Sequence, residues 1–109
     1  MPVPDFASID MRVGTVLTAQ PFPEARKPAI KLTIDFGPEL GVKKSSAQLT
    51  VHYTPESLVG RKVIAAVNLG TRRIATFDSE VLVLGAMAAP TEVVLLTPDH
   101  DVPNGTRIA

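Results

Sequence analysis

The sequence has no cysteine and no tryptophan, and its 109 residues include one tyrosine and four phenylalanines. Without cysteine there can be no disulfide, no thiolate nucleophile and no cysteine-rich zinc site. With so few rings, the interleaving of basic and aromatic strand residues that stacks single-stranded bases is thin. Net charge is lacking too: eleven Lys and Arg balance eleven Asp and Glu, so no global field draws the chain to nucleic acid or to an anionic membrane. No apolar run approaches the roughly 18 residues of a membrane-spanning helix. The opening MPVPDFASIDMR does not show the basic-then-apolar order of a signal peptide. No membrane insertion is expected, and cytoplasm is the expected compartment.

Catalytic signatures are missing as well. His52 and His100 sit in no HExxH-type spacing, and no G-x-S-x-G surrounds Ser45 or Ser46. There is no P-loop and no GxGxxG. The chain reads as a non-enzyme, with no catalytic residues, no metal and no cofactor.

What is present is a folded domain. Hydrophobic residues make up 45% and charged residues 20%, a globular composition, and the length suits a single domain over residues 1–109. Ten prolines and seven glycines punctuate short alternating runs, which favours all-β structure. Arg12 to Gln20 forms the first run, with Gly14 suggesting a bulge or bend; Asp5 to Ile9 before it suits one helical turn capped by Asp5. In the second run, Ile30, Leu32, Ile34 and Phe36 share one face and Lys31, Thr33 and Asp35 the other. Gly37-Pro38 and Gly41 turn the chain into a third strand, Val42 to Val51. Thr54-Pro55 starts a short capped helix that Gly60 ends. Lys62 to Leu69, Glu80 to Ala88 and Glu92 to Thr97 supply further strands, with Gly70 to Ser79 as a polar loop or irregular arm. Asn104-Gly105 marks a turn in the tail. Five strands with a short helix after the third, and additional C-terminal strand material, predict a five-stranded Greek-key barrel of the OB type. A small β-sandwich is the alternative.

One tract stands out: VKKSSAQLT, Val42 to Thr50. The two-residue period puts Ala47, Leu49 and Val51 on a core face and Lys44, Ser46, Gln48 and Thr50 on the other. Paired with the second strand, it would lay this polar row beside Lys31, Thr33 and Asp35, with Lys31 and Asp35 as an ion pair. That face of an OB barrel is where oligomeric ligands bind; the alternative is an ordinary solvated strand. Phe22 and Phe77, in loops, could reach such a ligand. Basic residues come in neighbouring pairs, Arg26-Lys27, Lys43-Lys44, Arg61-Lys62 and Arg72-Arg73. A fold that converged Arg26, Lys27, Lys43, Arg72 and Arg73 would make a local basic patch. Val81 to Leu84 and Val93 to Leu96 are apolar at every position, so both sheet faces need cover, and a homodimer is expected.

These residues resemble a known family. Ile9-Asp10-Met11-Arg12-Val13-Gly14, Pro23-Glu24-Ala25-Arg26-Lys27-Pro28 and Ile34-Asp35-Phe36-Gly37 are similar to the stand-alone tRNA-binding-domain proteins. These are OB-fold dimers related to the C-terminal domain of bacterial methionyl-tRNA synthetases. Ser45-Ser46-Ala47-Gln48, Val67-Asn68-Leu69 and Ser79-Glu80-Val81-Leu82-Val83-Leu84-Gly85 resemble the CsaA subgroup of export-related chaperones. The resemblance implies a cytoplasmic homodimer that binds unfolded precursor proteins and assists the Sec export machinery. Its implied binding surface is Lys31, Asp35, Lys44, Ser46 and Gln48, with Asn68 and Ser79 nearby. Structure-specific tRNA binding is the alternative. Where tRNA binders of the family carry a Ser-x-Gly-Met turn, this chain has Ser79-Glu80-Val81, adding a negative charge where phosphates would approach.

Overall fold

The computed structural model describes residues 6–109. The expected helical cap at Asp5 lies outside them; a single 3-10 turn, Phe6–Ser8, precedes the first strand. Strands β1 (Met11–Pro21), β2 (Ile30–Asp35), β3 (Val42–Ala47), β4 (Lys62–Ala66) and β7 (Leu82–Val83) form one antiparallel sheet in the order β3-β2-β1-β4-β7. It curls into a nearly closed OB-fold-like barrel. A four-residue helix α1, Gly37–Leu40, joins β2 to β3, and α2, Pro55–Leu58, lies between β3 and β4. Helix α2 starts as its sequence dictates: Thr54 caps it, its hydroxyl accepting from Ser57 N while Ser57 Oγ accepts from Thr54 N. Two hairpins complete the chain, β5 (Arg72–Ile74) with β6 (Phe77–Ser79) and β8 (Gly85–Ala89) with β9 (Glu92–Leu95).

The alternation in β2 holds. Ile30, Leu32, Ile34 and the following Phe36 are buried with Val16, Leu49, Leu58, Val63 and Val81 in one core, while Lys31, Thr33 and Asp35 face out. Gly14 is not the bulge. The register between β1 and β2 shifts between Val16 and Thr18, and Gly14 is instead a point of close approach. A Cβ there would lie 2.6 Å from Ile34 Cγ2 and 2.8 Å from the Phe36 ring, so the side chain was given up to seat Phe36.

Three stretches differ from the sequence expectation. Strand β3 stops at Ala47, because Leu49 N turns back to Ala47 O at 3.0 Å; Leu49 still reaches the core, but Val51, assigned to the core face, is 53% exposed. The arm from Gly70 to Ser79 contains the β5–β6 hairpin, whose turn residue Ala75 has φ 53°. The run from Glu80 to Ala88 is broken into β7 and β8: Leu84 N still bonds Ile64 O in register with the β4–β7 pairing, and from Gly85 the chain pairs with β9 instead. The tail runs along the start of β1, where β2 does not reach: Val13 N donates to Thr106 O, Gly105 N to Val13 O and Ile108 N to Met11 O. Lys62 Nζ fastens it further through Val102 O and Asn104 Oδ1, so the Arg61-Lys62 pair serves the fold. Among the described residues, no helix is long and apolar enough to cross a membrane.

Candidate functional site

The tract VKKSSAQLT divides between two jobs, and register decides which residue does which. Ser45 lies opposite core-facing Leu32 and is fully buried. A buried hydroxyl needs a partner, and Ser45 Oγ donates to Val81 O at 3.0 Å. One residue on, Ser46 N donates to Ser79 Oγ. One residue back, Lys44 N donates to the Glu80 carboxylate at 3.0 Å and Glu80 N to Lys44 O at 2.7 Å. These bonds stitch β3 to the segment Ser79–Val81 without a strand ladder. Glu80 therefore spends its carboxylate on the β3 backbone.

The outward row is as the alternation required. Lys31 stands across from Ser46, and Thr33 across from Lys44. The β5–β6 hairpin folds over this face. Phe77 meets Phe22 edge-on, ring centroids 5.5 Å apart, and Phe22, rather than reaching outward from its loop, is 4% exposed. Lys31 Nζ lies 5.3 Å from the Phe22 centroid and 5.8 Å from that of Phe77, and Lys44 Nζ lies 5.5 Å from Phe77. Each contact is worth about 0.5–1 kcal/mol at an exposed site. Asp35 does not pair with Lys31: its carboxylate accepts from Gly37 N at 2.8 Å and shapes the turn into α1.

Beside the row is a cleft of about 500 Å³. Ser46 and Gln48 form part of one wall, the loop residues Arg26 and Lys27 and the hairpin residue Arg72 stand around it, and Leu49, Ile74, Leu82, Val83 and Val93 make it apolar. No Asp or Glu lines it. Among the described residues, Lys31, Lys44, Arg26, Lys27 and Arg72 have no carboxylate within 4.0 Å. Sequence distance thus hid a convergence of three cations from two pairs.

The other expected residues lie elsewhere or are engaged. Arg73 pairs with Asp78 across the hairpin at 3.1 Å. Lys43 is opposite Ile34 and so lies on the other face of β3 from Lys44. Asn68 anchors the N-terminal turn, its Oδ1 accepting from Asp10 N and its Nδ2 donating to Ser8 O. Ser79 is buried and accepts from Ser46 N. Sequence reading missed the aliphatic lining of the cleft, since Leu49, Ile74, Leu82 and Val93 come from four separate segments; Ile74 inside a polar arm was the available hint. Among the described residues, no three His, Cys, Asp or Glu are grouped to hold a metal.

A model of the family described as "Putative tRNA binding domain" matches residues 11–107. The chain belongs to the tRNA-binding-domain family. Within it, the chain fits the CsaA group. The crystal structure of chaperone CsaA from Bacillus anthracis str. Ames is similar at a TM-score of 0.94 and 52% identity, covering 100% of this chain and 98% of that one. The CsaA chaperone protein from Picrophilus torridus gives a TM-score of 0.90 and 48% identity, covering 100% and 99%. The methionine–tRNA ligase of Methanococcus aeolicus is 36% identical over 106 residues, 97% of this chain and 15% of the ligase. The chain thus spans about 15% of the length of the curated relatives it matches. The region shared with the ligases is their tRNA-binding domain, not their catalytic part.

Proposed function

We propose that the protein is a molecular chaperone that binds unfolded precursor polypeptides and passes them to the Sec export machinery in the cytoplasm, as a homodimer and without catalysis. The observation that carries this is the cleft: an aliphatic interior ringed by Arg26, Lys27 and Arg72, beside the polar row of Lys31, Lys44, Ser46 and Gln48. An unfolded chain offers what such a site takes up, namely apolar side chains next to unpaired backbone groups. The full-length likeness to two CsaA chaperone structures supports the reading.

The dimer is proposed on the β8–β9 hairpin. Every residue of β8 is exposed, Met87 at 69%, and Val94 and Leu96 are exposed on the neighbouring segment. An apolar surface of that continuity is one that monomers rarely leave in water, and a twofold partner covers it symmetrically.

Structure-specific tRNA binding is the second reading. It is favoured by five cations without carboxylate partners among the described residues and by the description of the family. A chemically unfolded polypeptide diluted into buffer with the protein separates the two. The chaperone reading predicts suppression of light scattering in proportion to protein added. No suppression, with tRNA retained by the protein in a mobility shift, would reverse the order of the readings.

A further inference from the structure

The cleft is not a break in the barrel, since β3 and β7 lie side by side and the segment Ser79–Val81 is bonded to β3. It forms where the exit of β3 meets the β1–β2 loop, β5, β7 and β9. These elements are held in place. In the loop, Phe22 N donates to Ala29 O and Ala25 N to Phe22 O, both at 3.2 Å, and Phe22 is buried against Phe77. That fixes the backbone on either side of Arg26 and Lys27. Arg72 and Ile74 are held by pairing with Ser79 and Phe77 in β6, and Ser79 is in turn bonded to Ser46 N. Val93 is carried by β9, whose Leu95 N donates to the Tyr53 hydroxyl at 3.0 Å.

Two kinds of surface therefore meet within about 500 Å³, a volume inside the roughly 300–1,000 Å³ of small-molecule sites. Leu49, Ile74, Leu82, Val83 and Val93 are aliphatic, and no aromatic ring lines the cleft. Its charged lining residues are Arg26, Lys27 and Arg72; among the described residues none of the three has a carboxylate within 4.0 Å. An aliphatic interior takes up hydrocarbon and gives a phosphodiester nothing. Without rings there is no platform for a base, and Phe22 and Phe77 instead carry the Lys31 and Lys44 ammoniums. Three cations with no acid among them favour a negative charge. A ligand that matches both surfaces has a hydrocarbon tail and an anionic head.

We propose that the cleft is a binding site for a free medium-chain aliphatic carboxylate, with the tail against Leu49, Ile74, Val83 and Val93 and the carboxylate among Arg26, Lys27 and Arg72. This is a small-molecule site, and it does not depend on the polypeptide-binding reading. Where both hold, the two ligands use the same aliphatic interior. The carboxylate then competes with an unfolded chain, and its concentration sets how much of the site is open to polypeptide.

The test is a titration of the intact protein with octanoate below its micelle concentration, followed in amide and methyl NMR spectra. Shifts should saturate and centre on Ala47, Ile74, Val83 and Val93. Hexanoate, octanoate and decanoate form a ladder in which each buried methylene should tighten binding about fourfold, until the cleft is full and the gain stops. Octylammonium has the same tail and the opposite charge, and octanoate should bind at least about tenfold tighter. Arg72→Glu should shrink that ratio. The ligand comparisons use one folded protein, so the proposal can be judged without any variant. Equal affinities for octanoate and octylammonium overturn it. So do shifts centred on Met87 and Val94, or a gain that continues unabated through dodecanoate, either of which assigns the binding to the exposed β8–β9 surface. Phosphatidylglycerol vesicles test the other source of acyl chains; binding to them without binding of octanoate also overturns the proposal.

Discussion

Ser45→Ala and Ser46→Ala are adjacent, chemically identical changes for which the structure predicts opposite results. Ser45 is fully buried and its hydroxyl meets Val81 O at 3.0 Å. Removing it forfeits a neutral hydrogen bond, net about 1 kcal/mol, and strands a buried carbonyl, which can raise the loss to about 3 kcal/mol. Ser79 Oγ also lies 3.4 Å from Val81 O and can tighten, so the expected destabilisation is about 1–2 kcal/mol. For a domain near this size, each 1 kcal/mol lowers Tm by about 4 °C or somewhat more. Ser46 has only its backbone N in a bond to Ser79; its hydroxyl contributes nothing to barrel closure, so Ser46→Ala should change stability by about 0.5 kcal/mol or less. It lines the cleft, so it should weaken polypeptide binding instead. Thermal and urea denaturation of the two variants, with binding measured on the same samples, decides this. Equal stability of both variants, or a greater loss for Ser46→Ala, would refute the face assignment on which the site rests.

Gly14→Ala drives a methyl group to within 2.6 Å of Ile34 and 2.8 Å of the Phe36 ring and should destabilise by about 1–3 kcal/mol through overpacking, read from the urea midpoint. Met87→Glu, on the exposed β8, should turn a dimer into the 11.6 kDa monomer in sedimentation while leaving Tm of the barrel nearly unchanged; a parent that already sediments as a monomer at micromolar concentration contradicts the dimer. The hydrogen bond from Arg12, with the charges of Arg12 and Arg107 behind it, holds the Asp10 carboxyl below its ordinary 3.8. A lowered folded-state pKa contributes stability that is fully present above 3.8 and fades as pH falls through the folded value. Asp10→Asn should therefore reduce the urea midpoint at about pH 7 and lose that effect at about pH 2; a constant difference at both would remove Asp10 from the linkage of the N-terminal turn to the tail.

Local pattern carried most of the fold. The strict alternation of Ile30 to Phe36 and the Thr54-Pro55 cap gave their elements directly, because both signals are set within a few residues. Val42 to Val51 was legible in parity and not in length: Ser45 against Ser46 follows from counting by two, while the end at Ala47 comes from a turn back to Ala47 O that no apolar pattern announces. Gly14 was visible as special, but whether it bends the chain or makes room depends on Phe36, 22 positions away and just past the end of β2. The site was half legible. Lys31, Lys44 and Ser46 follow from two paired strands, while Gln48 lies one residue beyond the end of β3 and still lines the cleft. The meeting of Arg26 and Lys27 with Arg72 requires knowing where the β5–β6 hairpin folds, and Asn68 and Ser79 have polar side chains whose partners are distant backbone groups.

The central claim is that this site grips polypeptide rather than phosphate, and salt dependence tests it most directly. Labelled unfolded precursor and labelled tRNA are each titrated with the protein across a salt series from low to physiological ionic strength. Contacts between several cations and phosphates release counterions, so tRNA affinity should fall steeply and be largely gone at physiological salt. Main-chain hydrogen bonds and aliphatic burial respond weakly to salt, so precursor affinity should change little. The triple variant Lys44→Ala, Ser46→Ala, Gln48→Ala should lose precursor binding while remaining folded. Tight tRNA binding that persists at physiological salt, together with no detectable binding of the precursor, would contradict the chaperone reading.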